Sequence, residues 1–173
     1  MKGVYTLQNG KQLDSKAFCS YFEKKVFKNI RKLQLLNVKL ILPKEKSIES
    51  SIILDIFKKL MEKKKKQTQK AKKIIILPEC LDDIAETILR AQFEKDFSRQ
   101  IQKLDPKFTS KDKVYARPLY FMARNEIQIY AKLKKLKFQE KKQESWLDEL
   151  EVKHPEIKNA IVNAFLKSFS KTL

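Results

Sequence analysis

The chain has 173 residues, 42% apolar and 35% charged, with 39 Lys/Arg against 21 Asp/Glu and a formal charge of +18; it is long enough for one domain with a sizeable core and basic enough to attract polyanions. Its two glycines, Gly3 and Gly10, exclude a Gly-rich phosphate cradle later in the chain, and one histidine with two cysteines excludes zinc sites of the CxxC or HExxH type, so neither a metal nor a cofactor is expected. No apolar run approaches the ~18 residues that span a bilayer, no signal-peptide core opens the chain, and Cys19 and Cys80 do not read as a disulfide framework; the expectation is a soluble, cytoplasmic protein with no membrane partner.

Residues 1–13 read as irregular. Asp14 or Ser15 caps a helix running to about Leu33, with Phe18, Phe22, Val26, Ile30 and Leu33 on one face and Lys24, Lys25, Lys28, Arg31 and Lys32 on the other. Residues 36–42 form a short apolar run closed by Pro43, which predicts a buried strand. Ser47 opens a second helix with Ile52, Ile53, Ile56, Phe57 and Leu60 inward. Residues 58–73 then carry nine lysines against Glu62, as a solvated helix extension or a loop. Residues 73–78 are the clearest strand. A helix follows near Asp83, with Ile84, Ile88 and Leu89 apolar, and Asp105-Pro106 marks a loop. Val114 to Leu119 suits a third strand and Asn125 to about Lys137 a crossover helix. Two helices close the chain, at about 145–153 and 155–170, with Pro155 at a first helical position and Ile157, Ala160, Ile161, Ala164 and Phe165 on one face.

Helix and strand alternate through most of the chain. That predicts an α/β fold, a small parallel sheet with crossover helices, followed by C-terminal helices. The division expected is an α/β domain over 1–140 and a helical appendage over 141–173. Three strands make a small sheet, and its exposed edge invites a partner.

The basic excess is uneven: residues 1–73 carry 20 Lys/Arg against 6 Asp/Glu, and residues 74–173 carry 19 against 15. Nucleic acid is the expected partner. Thirty-four of the 39 basic residues are lysine, and arginine is the usual bidentate reader of bases, so phosphate contact is expected rather than base readout. One candidate patch is Lys24, Lys25, Lys28, Arg31 and Lys32; the other is Lys63, Lys64, Lys65, Lys66, Lys70, Lys72 and Lys73.

Four segments, in order, carry a resemblance. DSKAFCSYFEKKVFKNIRKLQLL (14–36) is similar to the helix before the first strand in the PP-loop ATPases of tRNA 2-thiolation. PECLDDIAETILRAQFEKD (78–96) resembles that family's LDDxAxT segment, VYARPLYFMARNEIQIYAKLKKLKF (114–138) its RPL strand and following helix, and WLDELEVKHPEIKNAIVNAFLKSF (146–169) its C-terminal helical element. The resemblance implies an adenine-nucleotide α-hydrolase-like fold and a link to tRNA thiolation. It also implies losses. Where the family carries SGGxDS to hold the ATP pyrophosphate, residues 43–50 read Pro43-Lys44-Glu45-Lys46-Ser47-Ile48-Glu49-Ser50, with no glycine, a proline lacking an amide hydrogen, and two carboxylates that repel phosphate. The family's CxxC zinc modules and its mid-chain cysteines are missing, and residues 61–73 hold lysines in their place. In role the chain resembles the non-catalytic subunit of the cytosolic tRNA thiolation complex.

Individual residues divide between chemistry and structure. The resemblance sets Asp82 and Asp83 beside the nucleotide, whereas Asp83 with Glu86 three residues on reads as a capping box. Arg117, in the RPL match, faces the family's cleft and meets either RNA phosphate or an acidic neighbour. Cys80 between strand and helix is a favourable place for a thiolate, yet a lone cysteine is more often structural, and Cys19 beside Phe18 reads as packing. Trp146, Leu147 and Leu150, and the aromatics Tyr115, Tyr120, Phe121 and Tyr130, read as core rather than as exposed contacts.

The expected function is therefore a non-catalytic RNA-binding protein. It would be a tRNA-binding partner subunit paired with a catalytic PP-loop paralogue, contacting phosphates through its lysines and Arg117. The alternatives are an RNA-binding protein docked on the ribosome, and a residual ATP-dependent tRNA sulfurtransferase using Asp82, Asp83 and Arg117.

Overall fold

The computed structural model describes residues 3–7, 9–36, 38–42, 47–62, 73–93, 101, 103–136 and 146–169. Lys63, Lys64, Lys65, Lys66, Lys70 and Lys72 lie outside the described residues.

The N-terminus is not irregular: β1 (Tyr5–Thr6) and β2 (Gln12–Leu13) pair antiparallel. Gly10 at φ 79 turns the connection, and its amide donates to the Leu7 carbonyl at 2.9 Å. Helix α1 (Ser15–Lys32) starts where the Asp14 carboxylate accepts from the Ala17 amide at 2.8 Å. Its four-residue spacing buries Phe18, Phe22, Val26 and Ile30, each side chain contributing about 1.5–3 kcal/mol by burial. The helix stops at Gln34, whose φ of 57 lets the Leu35 amide reach back to the Ile30 carbonyl.

The four-stranded sheet runs β3 (Lys39–Ile41), β4 (Lys73–Ile76), β6 (Lys113–Ala116), β5 (Lys107–Ser110). The first three are parallel, as the alternating pattern predicts. The sheet is not wholly parallel, because β5 joins β6 as an antiparallel hairpin from within the loop expected after Asp105-Pro106. Lys111 and Asp112 both take positive φ, 47 and 60, the two-residue turn whose twist suits a hairpin.

Between the strands lie α2 (Ile48–Glu62) and α3 (Leu81–Phe93); α4 (Arg124–Leu133), α5 (Trp146–Lys153) and α6 (Ile157–Phe169) follow the sheet. One buried cluster joins α1, α2 and α4 to the sheet face made by Ile74, Ile76, Val114 and Ala116. At its centre Phe22 stacks on Tyr130 at 4.3 Å. The second cluster packs Leu81, Ile84, Ala85 and Ile88 of α3 against Val162, Phe165 and Leu166 of α6, with Leu147 of α5, Leu104 and Tyr120. The C-terminal helices are thus built against α3.

Polar ties fasten the first cluster. Lys59 donates to Asp55 at 2.6 Å, Glu23 at 2.9 Å and the Tyr130 hydroxyl at 3.1 Å, and Tyr130 donates to Glu23 at 2.8 Å. Three helices meet in that network. Burial works against ionising Glu23, but donors from Lys59 and Tyr130 outweigh it and hold its carboxyl below the ordinary value.

Candidate functional site

In a parallel α/β sheet, ligands sit beyond the carboxyl ends of the strands, where helix N-termini present amides to anions. Here β4 leads through Glu79 to the start of α3, β6 leads through Arg117 to the start of α4, and β3 leads toward the start of α2. What these three starts do with their amides decides what the edge can hold.

At each of the three, at least one amide is bonded to one of the chain's own side chains. At α2, Ser47 Oγ accepts from the Ser50 amide at 3.1 Å. At α3, Asp83 accepts from the Cys80 amide at 2.9 Å. The helix begins two residues earlier than expected, so Asp83 is the returning carboxylate of the box and not its first residue. At α4, the Ala123 amide goes to Glu126 at 3.0 Å, the Arg124 amide to Asp82 at 2.8 Å, and the Glu126 amide to Asn125 at 2.6 Å.

The charged groups close on each other as well. Arg124 forms an ion pair with Asp83. Burial opposes its charge, and Cys80, Asp83, Asp82 and Glu49 around it outweigh that burial. Arg117 is a correction to the expectation of an outward RNA contact: only 4% exposed, it pairs with Glu79, donates to the Asp105 carbonyl at 2.7 Å and covers the Phe108 ring at 4.9 Å. Of the two expected readings, the acidic neighbour holds. Cys80 is fully buried, and burial with Asp83 and Asp82 nearby pushes its thiol well above the ordinary value, the opposite of an activated thiolate.

Behind this edge lies a group the sequence reading missed. Lys158 of α6, 2% exposed, donates to Asp82 at 2.6 Å, Asp148 at 2.6 Å and Glu151 at 2.7 Å. Those three carboxylates lie close enough together to hold a metal ion, and the ammonium stands among them instead. The one signal for it was a lysine beside the apolar stripe of an amphipathic helix. Glu126 is a second such group. It is 1% exposed and accepts from Lys25 at 2.8 Å, Tyr21 at 3.2 Å and Tyr5 at 3.4 Å.

Lys25 is accordingly corrected from the open patch to a half-buried ion pair with Glu126. Lys24, Lys28, Arg31 and Lys32 are exposed on α1, and Lys73 is exposed at the start of β4. Arg117, buried and paired with Glu79, is not one of these exposed cations. Tyr120 and Tyr130 are core, as expected, whereas Tyr115 and Phe121 are only half-buried. Among the described residues, no helix is long and apolar enough to cross a membrane.

No protein-family model matches the sequence, and no curated protein sequence matches it. Among solved structures, the fold is similar to that of the U34-tRNA thiolase NcsA from Methanococcus maripaludis with its [4Fe-4S] cluster. The TM-score is 0.71 at 13% identity, over 95% of this chain and 83% of that one. The architecture is thus the PP-loop, adenine-nucleotide α-hydrolase-like fold with a small, mostly parallel sheet. The likeness does not extend to the cluster's ligands. Iron–sulfur clusters are held by several cysteine thiolates, and this chain has two cysteines, on α1 and at the start of α3.

Proposed function

We propose that this chain is a non-catalytic, RNA-binding relative of the tRNA 2-thiolation enzymes, a tRNA-binding subunit that pairs with a catalytic PP-loop paralogue. The fold it has in common with a U34-tRNA thiolase supports the tRNA connection. One observation carries the rest of the reading: the helix starts that would receive a nucleotide's phosphates have amides bonded to Ser47, Asp83, Asp82, Glu126 and Asn125. Arg117, Lys158 and Arg124, the cations at the same edge, are already paired with Glu79, Asp82 and Asp83, and Glu49 adds a further carboxylate near Arg124, which disfavours a triphosphate. Asp82 and Asp83, the retained pair of the LDDxAxT segment, act here as caps and ion-pair partners.

The net charge of +18 supports a polyanionic partner, and Lys24, Lys28, Arg31 and Lys32 stand exposed on one helix to meet it. Their contribution is affinity and orientation. The test is affinity purification from the native cell with and without RNase, at low and high salt. Recovery of tRNA together with a thiolation enzyme is the expected result. Recovery of ribosomal subunits alone would overturn the reading.

A further inference from the structure

The two faces of the sheet are unequal. Leu40, Ile74, Ile76, Val114 and Ala116 point into the first core cluster. The alternate residues point the other way, and they form two rows across the strands. In the first row Lys39 pairs with Lys73, and the register that sets Ile74 beside Val114 brings Lys113 level with Lys73. In the second, Ile41 faces Ile75, Ile75 faces Tyr115, and Tyr115 faces Phe108.

The second row is apolar yet incompletely covered. Ile41 is 43% exposed, Ile75, Tyr115 and Phe108 are half-buried, and none of the four belongs to either buried cluster. The Phe108 and Tyr115 rings stack at 4.9 Å with 9° between their planes. The first row puts three exposed lysines on neighbouring strands about 4.8 Å apart. Like charges side by side on adjacent strands destabilise a sheet, and among the described residues no carboxylate forms an ion pair with any of the three. A cationic row beside flat aromatic rings matches the chemistry of a nucleic-acid strand whose bases are splayed from its backbone.

We propose that this open sheet face is a docking platform for single-stranded RNA, with phosphates along Lys39, Lys73 and Lys113 and a base at Tyr115, whose ring Phe108 backs from the side that Arg117 covers. This rests on the RNA-binding reading above and adds the class of RNA and a surface separate from α1. Duplex RNA keeps its bases stacked on one another and offers such a face no free base to stack.

The experiment measures fluorescence anisotropy of the full chain with a labelled single strand of about eight nucleotides and with a hairpin duplex, across a salt series. Replacing Tyr115→Leu keeps apolar area and removes the stacking surface. It is expected to weaken the single strand about tenfold and leave the duplex unchanged. The triple variant Lys39→Gln, Lys73→Gln, Lys113→Gln touches no ion-pair partner, so its fold is secure. It is expected to lower the salt slope for the single strand by about 2.

Single-strand affinity that survives both variants, while Lys24→Glu, Lys28→Glu, Arg31→Glu abolishes it, would overturn the platform and leave the RNA reading standing. No binding of either RNA by the unaltered chain at low salt would remove the RNA reading itself. A concentration-dependent dimer broken by Ile41→Asp, with RNA binding unaltered, would assign the face to a second copy and overturn the proposal.

Discussion

Replacing Lys158 with methionine tests the arrangement behind the strand ends. Methionine keeps most of the side-chain volume and removes the charge. Asp148 and Glu151 have side chains 51% and 37% exposed and can turn to water, but Asp82, at 8%, cannot. It is left a buried carboxylate that keeps the Arg124 amide at 2.8 Å and the Cys80 thiol at 4.0 Å but has lost its ammonium. Breaking a buried pair from one side costs about 3–5 kcal/mol, and the two exposed acids bring the expectation to the lower end, about 3 kcal/mol. For a chain of this length that is a fall in Tm of roughly 6–12 °C. Urea denaturation and calorimetry measure it. Adding Asp82→Asn to Lys158→Met is expected to recover part of the loss, because an amide needs no counter-charge. A loss under about 1 kcal/mol, or no recovery in the double variant, would refute the reasoning.

Other outcomes follow from the same geometry. Burial opposes protonation of Lys158, but bonds to Asp148, Asp82 and Glu151 outweigh it and raise its value above that of the unfolded chain. Its stabilisation is therefore complete below about pH 10.4 and fades as pH rises. Tyr21, pushed up to about 12 by burial and by Glu126, acts in the same direction: it stays protonated when folded while the unfolded chain ionises near pH 10. Alkaline denaturation followed by tyrosinate absorbance is expected to show stability falling from about pH 10 upward, and a flat profile between pH 10 and 12 would count against both assignments. Glu126→Ala removes the acceptor of Lys25, Tyr21, Tyr5 and the Ala123 amide, and a loss of about 3 kcal/mol is expected by denaturation. Under native conditions an alkylating reagent is expected to reach Cys19 before Cys80, which is buried and raised well above its ordinary value; mass spectrometry of the modified peptides reads the order.

Much of the fold was legible because it is local. The four-residue spacing in α1, the Asp14 cap, and the Ile74–Ile76 strand are short-range patterns, and burial follows them. The β1–β2 hairpin also had a signal in Asn9-Gly10, but two-residue strands carry no periodicity to confirm it. Strand β5 had less: its turn, Lys111-Asp112, lacks the glycine or asparagine that marks such turns.

The candidate site was legible only as a set of residue types. Arg117 and Glu79 are 38 residues apart, Lys25 and Glu126 are 101, and Lys158 and Asp82 are 76. No periodicity links partners so distant, and tertiary packing alone decides that these charges turn inward. The open sheet face was hidden for the same reason. Lys39, Lys73 and Lys113 look like scattered surface lysines until the strand register aligns them.

The proposed function requires that helix starts whose amides bond to Ser47, Asp83, Asp82, Glu126 and Asn125 hold no nucleotide, while the exposed lysines take a larger polyanion. Calorimetric titration of Mg-ATP into the full chain tests it most directly. No heat of binding is expected, with the same preparation still taking up tRNA. Saturable ATP binding at micromolar concentration, lost on replacing Ser47 or Arg124, would contradict it.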